Sequence, residues 1–547
     1  MNYNLKKLIS AATLLCSALA MADGSSSCST CPTSCGQGQN TFQPHAFSAS
    51  MVREVLVGKH AWIPMSNEEG WHGQVAVAGE YQKSLHNTCN TKYSCCTSLG
   101  SLPFWSDDNS NFMTVGDNSG TYNLDLYQIG MGPVTTNGTI SLNPTVYQAG
   151  ADFFLYVGAQ KTERGFFLKA HGPVGVFGMN PRFITPDEDT VAPVAYPAGA
   201  LNNTAATTVA APYNDVASAF QGDKGTGFLK PMIKGLINGC RTSSAKFGDP
   251  EFTLGYNVYA DEVKHLGIGL RFSAPTGNKP EGTYILEPIF GRAGHWGAGG
   301  EIIGHWRFWE SDTDDRYIQV TFDADILHLF NAQFLRSFDL KKNGAGSKYL
   351  LLARYSGTAF QSEITNAINI TTIGVNSSFA IEGNFAAVVD FHWSNWSMAL
   401  GYEGWGRTCE KLSIDCACPG SVNFNDYAVL GRQTPYTAGG VALNLSEPLA
   451  TISESQARAT TATATIVDAT LSTNRIPDQA KDALDIDGQV ARSAYTSKPF
   501  AQLQYTWRDS DYNPYIGVSG GAELSQGHTK NAAVSFWNVG VQGGLAF

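Results

Sequence analysis

Charged residues are scarce in this sequence, and long apolar runs are almost absent from it. Only 15% of its 547 residues are Asp, Glu, Lys or Arg, against about 25% in an average soluble domain. Beyond residue 22 no apolar run reaches the length of about 18 residues that a membrane-spanning helix needs. The first shortage argues against a charged, helix-rich cytosolic enzyme, and the second excludes helical membrane spans.

The N-terminus carries the pattern of an export signal. Lys6 and Lys7 precede the apolar run 8–20, and Ala20-Met21-Ala22 is a small-x-small cleavage pattern. We therefore expect a signal peptide over residues 1–22. Its removal takes away two lysines and lowers the formal net charge from −11 to −13. Such an acidic chain is expected to have no nucleic-acid partner, because phosphates would repel it.

Alternation of apolar and polar residues recurs along the chain. In one example Leu266, Ile268, Leu270 and Phe272 alternate with His, Gly and Arg, which indicates a β-strand with one apolar face. Soluble β-sandwiches also alternate, but their polar face is rich in Lys, Glu and Asp. Here the polar face is mostly Gly, Gln, Asn, Ser, Thr and Tyr, as in a water-filled lumen with lipid outside.

The number of such segments predicts the size of the sheet. Fourteen segments alternate, and residues 71–81 are a further candidate, so we predict about 14 strands, or 16 at most. The fourteen segments are 121–129, 151–160, 164–172, 251–260, 263–272, 284–291, 295–309, 316–325, 348–355, 379–391, 395–406, 499–509, 514–524 and 532–547. The predicted fold is all-β, a closed antiparallel transmembrane β-barrel over residues 71–547, preceded by a Cys-containing segment or plug over 23–70.

Connections between these segments alternate in length. Residues 160–163, 260–262 and 394–395 are short turns, whereas 173–250 and 407–498 are long connections. Outer-membrane barrels have short periplasmic turns and long extracellular loops. The alternation therefore predicts long loops gathered at the extracellular end of the barrel.

The last strand carries a resemblance to a known class. The chain ends with apolar residues at alternate positions, Val539, Val541, Leu545 and the terminal aromatic Phe547. Together with the export signal and the repeated strands, this resembles a Gram-negative outer-membrane β-barrel of the porin type. The resemblance implies that these four residues form the insertion signal read by the barrel-assembly machinery. It also implies an integral protein of the bacterial outer membrane, in contact with outer-membrane lipid.

A pore for passive diffusion of small hydrophilic solutes or ions is the function that this resemblance implies. Alternation places Arg271, Glu301, Asp323 and Asp325 on the lumen face, where charged side chains would bias ion selectivity. We expect no enzymatic activity, because no nucleophile and base lie at a spacing that indicates catalysis. No cofactor is expected.

Ten cysteines remain after removal of the signal: Cys28, Cys31, Cys35, Cys89, Cys95, Cys96, Cys240, Cys409, Cys416 and Cys418. An even number in an exported chain favours disulfides, since the periplasm is oxidising. The cluster of three at 28–35 leaves open an intermolecular bridge or, with His45, a metal site. Disulfides are preferred, and no metal is predicted.

Two segments leave it undecided whether the lumen is open or blocked. The apolar residues of 214–240 are compatible with a loop that folds into the pore or with one that covers its rim. The N-terminal segment 23–70 is long enough to plug the lumen. A plug, together with Phe228 and Met232 in the loop, favours a first alternative, a FadL-like transporter of hydrophobic compounds. A second alternative is a structural or adhesive envelope protein, a homo-oligomer or one linked by disulfides to other envelope proteins.

Overall fold

The computed structural model describes most of the predicted barrel and part of its loops. The described residues are 43–60, 70–85, 112–116, 124–134, 137–142, 144–161, 163–184, 194–198, 200–201, 207–239, 241–243, 245–311, 316–357, 359–414, 423–430, 476–508, 512–525 and 533–547. The predicted signal peptide, residues 1–22, lies outside these ranges.

Strands dominate the described residues. In chain order the strands are β1 (Gly70–Ser84), β2 (Phe112–Gly116), β3 (Leu124–Asp125), β4 (Gly138–Leu142), β5 (Thr145–Lys161), β6 (Arg164–Asn180), β7 (Phe183–Ile184), β8 (Arg241–Thr242), β9 (Lys246–Phe247), β10 (Glu251–Ala260), β11 (Lys264–Ser273), β12 (Gly297–Glu310), β13 (Arg316–Ser337), β14 (Leu351–Ser356), β15 (Ala359–Asn366), β16 (Thr372–Trp393), β17 (Trp396–Arg407), β18 (Glu410–Ile414), β19 (Tyr427–Val429), β20 (Ala494–Thr506), β21 (Tyr515–Ser525) and β22 (Phe536–Ala546). The α-helices are α1 (Met51–Gly58), α2 (Val216–Gln221), α3 (Ile368–Thr371) and α4 (Ala480–Ala483), and 3-10 helices cover Phe47–Ala49, Leu126–Ile129, Ser347–Tyr349, Phe424–Asp426 and Asp487–Gln489.

Twelve of the described strands form one closed antiparallel barrel. The order around it is β1, β5, β6, β10, β11, β12, β13, β16, β17, β20, β21 and β22. The last strand pairs with the first, from Gln74 opposite Ala546 to Ser84 opposite Phe536. The sheet therefore has no free edge along this circuit, so its backbone groups are paired without water.

The predicted barrel is confirmed, but the count of about 14 strands is not. Segment 121–129 holds only the two-residue β3 and a 3-10 helix, and 284–291 holds an isolated bridge at Tyr284. Segment 348–355 overlaps β14, which belongs to a separate three-stranded sheet. The apolar residues of segments 284–291 and 348–355 pack in a core formed by loops. Their alternation therefore does not mark a lipid-facing strand. The candidate 71–81 is part of β1.

The barrel is inside-out compared with a soluble protein. On β11 the outward Leu266, Ile268 and Leu270 are 40–61% exposed, whereas the alternate His265 and Arg271 are at most 4% exposed. The same alternation, with apolar residues outside, holds on β10, β17, β21 and β22. Exposed apolar side chains around the whole barrel form a continuous surface that only lipid can cover.

Aromatic side chains mark both edges of this surface. At the short-turn end the exposed aromatic residues include Trp71, Trp309, Trp393, Trp396, Trp507, Tyr512 and Phe547. At the other end they are Phe247, Phe252, Phe272, Trp296, Phe330 and Trp537. Ten residues of a tilted strand separate Trp537 from Phe547, which corresponds to a height of about 25 Å. This is the height of the apolar band of outer-membrane barrels.

Connections alternate between short turns and long loops. At one end of the barrel they are 162–163, 261–263, 311–315, 394–395 and 507–514, and at the other end 85–144, 181–250, 274–296, 338–371, 408–493 and 526–535. The predicted gathering of long loops is thus confirmed, and by the rule for outer-membrane barrels their end faces outside.

The long loops build a folded cap over the outer end. Strands β14, β15 and β19 form one small sheet, and β2, β3, β4 and β7 form another. Apolar residues from several loops, among them Phe220, Met232, Phe290 and Tyr349, share one buried core with the outer ends of barrel strands. The cap is therefore packed against the mouth of the barrel.

Among the described residues no helix combines the length and the apolarity needed to cross a membrane. A closed barrel with a lipid-facing apolar band defines an integral protein of the bacterial outer membrane.

The turn between β10 and β11 offers a test of the hairpin geometry. The Asp261 carboxylate accepts hydrogen bonds from the backbone N–H of Val263 at 2.7 Å and of Lys264 at 2.5 Å, and from the Tyr259 hydroxyl at 2.7 Å. Partial burial would raise the pKa of Asp261, but these donors lower it below its ordinary value. We expect Asp261→Ala to reduce the free energy of unfolding by about 1 kcal/mol, measured by urea titration in lipid vesicles.

Because the folded-state pKa of Asp261 is depressed, its contribution is present above the pKa of the unfolded chain and is lost as the pH falls through the folded pKa. The difference between wild type and Asp261→Ala should therefore vanish in acid. An equal difference at neutral and acid pH would contradict this role.

Candidate functional site

The N-terminal residues 43–60 lie inside the barrel. Helix α1 contacts β1, β5, β13, β16, β17 and β22, which are strands on opposite sides of the lumen. Residues 44–57, 59 and 60 are buried, although they include Arg53, Glu54 and Lys59. Charged side chains are almost never buried unless they are paired, so the wall of the barrel must supply their partners.

The size of the barrel explains why one helix fills it. Twelve strands about 4.8 Å apart, tilted by about 40°, give a cylinder about 24 Å across between backbone positions. Side chains extending about 6 Å from each wall leave a bore of about 12 Å, which is the diameter of one α-helix with its side chains. Residues 43–60, hereafter the lumen segment, therefore occlude the bore.

The lumen segment runs from the outer mouth toward the short-turn end. At the outer mouth Arg407 donates to the backbone oxygen of Gln43 at 3.2 Å, and His45 Nδ1 lies 3.0 Å from Glu523 Oε1. At the other end His60 stacks on Tyr515 with 3.8 Å between ring centroids. The segment therefore contacts the wall along the length of the lumen.

A carboxylate of the barrel wall caps helix α1. Ser50 at the N-cap makes no side-chain cap of its own. Instead, Glu403 Oε1 accepts from the backbone N–H of Met51 at 2.5 Å and of Val52 at 3.2 Å. Free N–H groups and the positive end of the helix dipole favour an anion at this place. Strand β17 thus fixes the position at which the helix begins.

Glu54 joins the lumen segment to β11 and β6. Its carboxylate receives two hydrogen bonds from the Arg271 guanidinium, 2.6 Å from Nη2 to Oε1 and 3.0 Å from Nη1 to Oε2. The Lys169 ammonium lies 2.6 Å from Oε2, and His171 Nε2 lies 3.3 Å from Oε1. A bidentate arginine–carboxylate pair holds the carboxylate in one orientation.

The predicted lumen residues Arg271, Glu301, Asp323 and Asp325 lie together around this pair. The Lys169 ammonium contacts Glu301 and lies 2.6 Å from Asp323 Oδ2, and Arg271 Nη1 lies 3.0 Å from Glu301 Oε1. Asp325 accepts from Asn384 at 3.0 Å. All four are buried on the inner wall, where the lumen segment covers them. Their role in lining an open pore stays a prediction.

Oxygen atoms of Glu54, Glu301 and Asp323 lie within 4.8 Å of one another, the arrangement of a cation site. The Lys169 ammonium contacts all three carboxylates, so a side chain of the protein already supplies the positive charge there. These residues hold a lysine rather than leaving a place for a metal.

The other predicted residues fall in different places. Val539, Val541, Leu545 and Phe547 are exposed on the outer face of β22, and their role as an insertion signal stays a prediction. Of the ten cysteines only Cys409 lies within the described residues, so the predicted disulfides also remain untested. In the loop 214–240, Phe220 and Met232 are buried in the cap core.

Apart from His45, no individual residue of the lumen segment is predicted from the sequence to have a role. The signal was present: Val52, Val55 and Leu56 recur at helical spacing, and Arg53 and Glu54 interrupt them. The three apolar residues share a buried cluster with Ala386, Val388, Ala399 and Phe500 of the wall. The charged positions needed knowledge of their partners, which are distant in sequence.

Comparisons with known proteins identify no family for this chain. No protein-family description matches the chain, and no curated protein matches it. Among solved structures, an outer membrane channel from Pseudomonas putida F1 is 9% identical with a TM-score of 0.34, covering 90% of this chain and 98% of that one.

Two further structures are similar at the same level. The transport unit of the autotransporter AIDA-I from Escherichia coli is 6% identical, with a TM-score of 0.30 and coverage of 92% and 100% of the two chains. A FadL homologue of Pseudomonas aeruginosa is 8% identical, with a TM-score of 0.24 and coverage of 87% and 89%. Likeness of this degree adds no argument about the porin type, which stays a prediction.

Arg271 offers a test of the buried network. Arg271→Gln removes the guanidinium group that contacts Glu54, Glu251 and Glu301. Removing one member of a buried ion pair costs about 3–5 kcal/mol, so we expect the free energy of unfolding in lipid vesicles to fall by that amount.

Arg307→Gln is the matched control, because Arg307 pairs with Glu310 at the short-turn end of the barrel, where both side chains remain partly exposed. This change should cost less than about 1 kcal/mol. Equal losses for the two variants would show that the Arg271 network does not stabilise the folded chain.

Proposed function

We propose that this protein is an outer-membrane channel for small hydrophilic solutes or ions, and that the lumen segment holds it closed. The observation that carries the proposal is the chemistry of the inner wall. That wall is lined by carboxylates, basic groups and amides, and the lumen segment satisfies many of them. When the segment leaves, water can hydrate those groups, so a polar route through the membrane results.

The barrel does not need the lumen segment for its backbone pairing. All twelve strands hydrogen-bond to their neighbours around the closed circuit, whereas the segment is attached through side-chain contacts and the cap at Glu403. Movement of the segment would therefore open the bore without breaking the sheet. The proposed transport needs no covalent chemistry, and we expect no enzymatic activity.

The first test compares the full-length chain with a variant lacking residues 43–60 in planar bilayers. The full-length protein should show little steady conductance, since its bore is filled. The deletion variant should show a steady conductance at least about tenfold larger, because it opens a water-filled bore of about 12 Å. Arg307→Gln, a change at the rim, should behave as the full-length protein does.

Liposome swelling then tests the solute class. Vesicles that contain the deletion variant should swell in small sugars, whereas vesicles with the full-length chain should swell slowly. A deletion variant that folds, inserts and stays silent in both assays would contradict the proposal.

A FadL-like transporter of hydrophobic compounds is the second candidate. The observation that favours it is the apolar cap at the outer mouth, where Met232 is buried and Phe228 packs edge-on against Phe360 at 5.4 Å. An apolar solute would, however, have to pass the charged wall around Glu54 and Arg271. Uptake of fatty or aromatic compounds by the full-length protein, without swelling in sugars, would favour this candidate over the channel.

A further inference from the structure

Two cationic side chains of the lumen segment occupy carboxylate sites on the barrel wall. Arg53 and Lys59 are both buried. Their side chains contact residues on four strands of the wall. Within the lumen segment itself, the only described partner is Phe47. The wall residues would remain in place if the segment moved, so they would then present vacant sites for positive charge.

The first site holds a guanidinium group. Arg53 Nη1 lies 2.7 Å from Glu80 Oε2 on β1, and its Nε lies 3.4 Å from Asp152 Oδ2 on β5. The second carboxylate oxygen of Glu80 lies 3.5 Å from Lys498. Two carboxylates on adjacent strands therefore converge on one planar cation.

The second site holds an ammonium group. Lys59 Nζ lies 2.6 Å from Asp390 Oδ1 and 2.5 Å from Gln502 Oε1. Asp390 is fully buried, and its other oxygen, Oδ2, has no hydrogen-bond partner within the described part of the chain. A buried carboxylate oxygen without a donor is costly, so this site can accept a further donor when one is offered.

The inner wall as a whole carries a net negative charge. The described barrel strands bury ten carboxylates: Glu80, Asp152, Glu251, Glu301, Asp323, Asp325, Glu382, Asp390, Glu403 and Glu523. Against them stand seven Lys and Arg side chains: the buried Arg271, Arg336, Arg407 and Lys498 and the partly buried Lys169 and Arg307 on the same strands, and Arg292 of the loop 274–296, which pairs with Glu251 and Glu382. The wall therefore has an excess of three formal negative charges, which the lumen segment only partly balances.

We propose that the wall sites at Glu80–Asp152 and Asp390–Gln502 bind small organic cations that carry guanidinium or ammonium groups, in the positions that Arg53 and Lys59 now occupy. This inference rests on the proposed function, since the lumen segment must move for a solute to reach the sites. It assigns a substrate class to the channel: the solutes that it binds in transit are cationic.

The geometry favours organic cations over a bare metal ion. Each site offers only two protein side chains, whereas a calcium ion takes six to eight oxygen ligands. 1,6-Diaminohexane, whose ammonium groups are of the kind that Lys59 places in the second site, is a suitable probe, with 1,6-hexanediol as its uncharged counterpart.

The experiment uses the full-length chain with two substitutions, Arg53→Gln and Lys59→Gln. These remove the cations of the lumen segment and leave the wall carboxylates intact. Arg307→Gln with Lys264→Gln is the matched control, because it removes the same charges at the short-turn end, where Lys264 is exposed and Arg307 half-buried. Conductance, the reversal potential in a salt gradient and the melting temperature are measured for both variants and the wild type.

The double variant should conduct more than the wild type, with potassium preferred over chloride by at least about fivefold. Addition of 1,6-diaminohexane should reduce its potassium current and raise its melting temperature, since a ligand that binds the folded state stabilises it. 1,6-Hexanediol should do neither. The wild type and the control variant should show no rise in melting temperature, because Arg53 and Lys59 still fill their sites.

The outcomes separate the two proposals. If the double variant conducts but shows no cation preference and no diamine effect, the substrate class is wrong while the channel stands. If it does not conduct but the diamine raises its melting temperature, the sites exist and the channel proposal fails. If neither occurs, both are overturned. Adding Glu80→Gln and Asp390→Asn to the double variant should abolish the diamine effect, and persistence of that effect would place binding elsewhere.

Discussion

The rest of this structure depends on one constraint. The buried charges on the inner face of a twelve-stranded barrel must be paired, just as the apolar side chains on its outer face must be covered. Lipid covers the outer residues such as Leu270 and Val541. The inner face carries buried charges, and each uncompensated charge in a low dielectric is expensive. The bidentate pair of Arg271 with Glu54 shows how the chain meets this demand, by turning its own N-terminal residues back into the lumen.

The fit of the lumen segment follows from dimensions and from charge together. A bore of about 12 Å admits one helix, and the apolar residues Val55 and Leu56 of that helix pack on the wall. Its charged residues point to other parts of the wall, where the strands supply counter-charges. Specific side-chain contacts give the segment a defined position, and their polar character makes the same wall compatible with water. A structure of this kind can be closed and can still contain a polar route.

Sequence periodicity predicted the barrel well where a strand faces lipid on one side, as the alternation of Leu266 to Phe272 does on β11. It failed at 121–129, 284–291 and 348–355, where similar alternation serves the core of the extracellular cap. Periodicity reports that one face is buried in an apolar environment, and it does not distinguish lipid from protein. The excess of predicted strands has this single physical cause.

The sequence by itself determined the class of fold, the polarity of both barrel faces, the gathering of long loops at one end and the lumen position of Arg271, Glu301, Asp323 and Asp325. Only the tertiary structure decided the strand number, the occlusion of the bore and the identity of each ion pair. Alternation is a local property, fixed by the geometry of one strand. The wall partners of Arg53, Glu54 and Lys59 lie between 27 and 443 residues away in the sequence, and nothing in local spacing brings such residues together before the sheet closes.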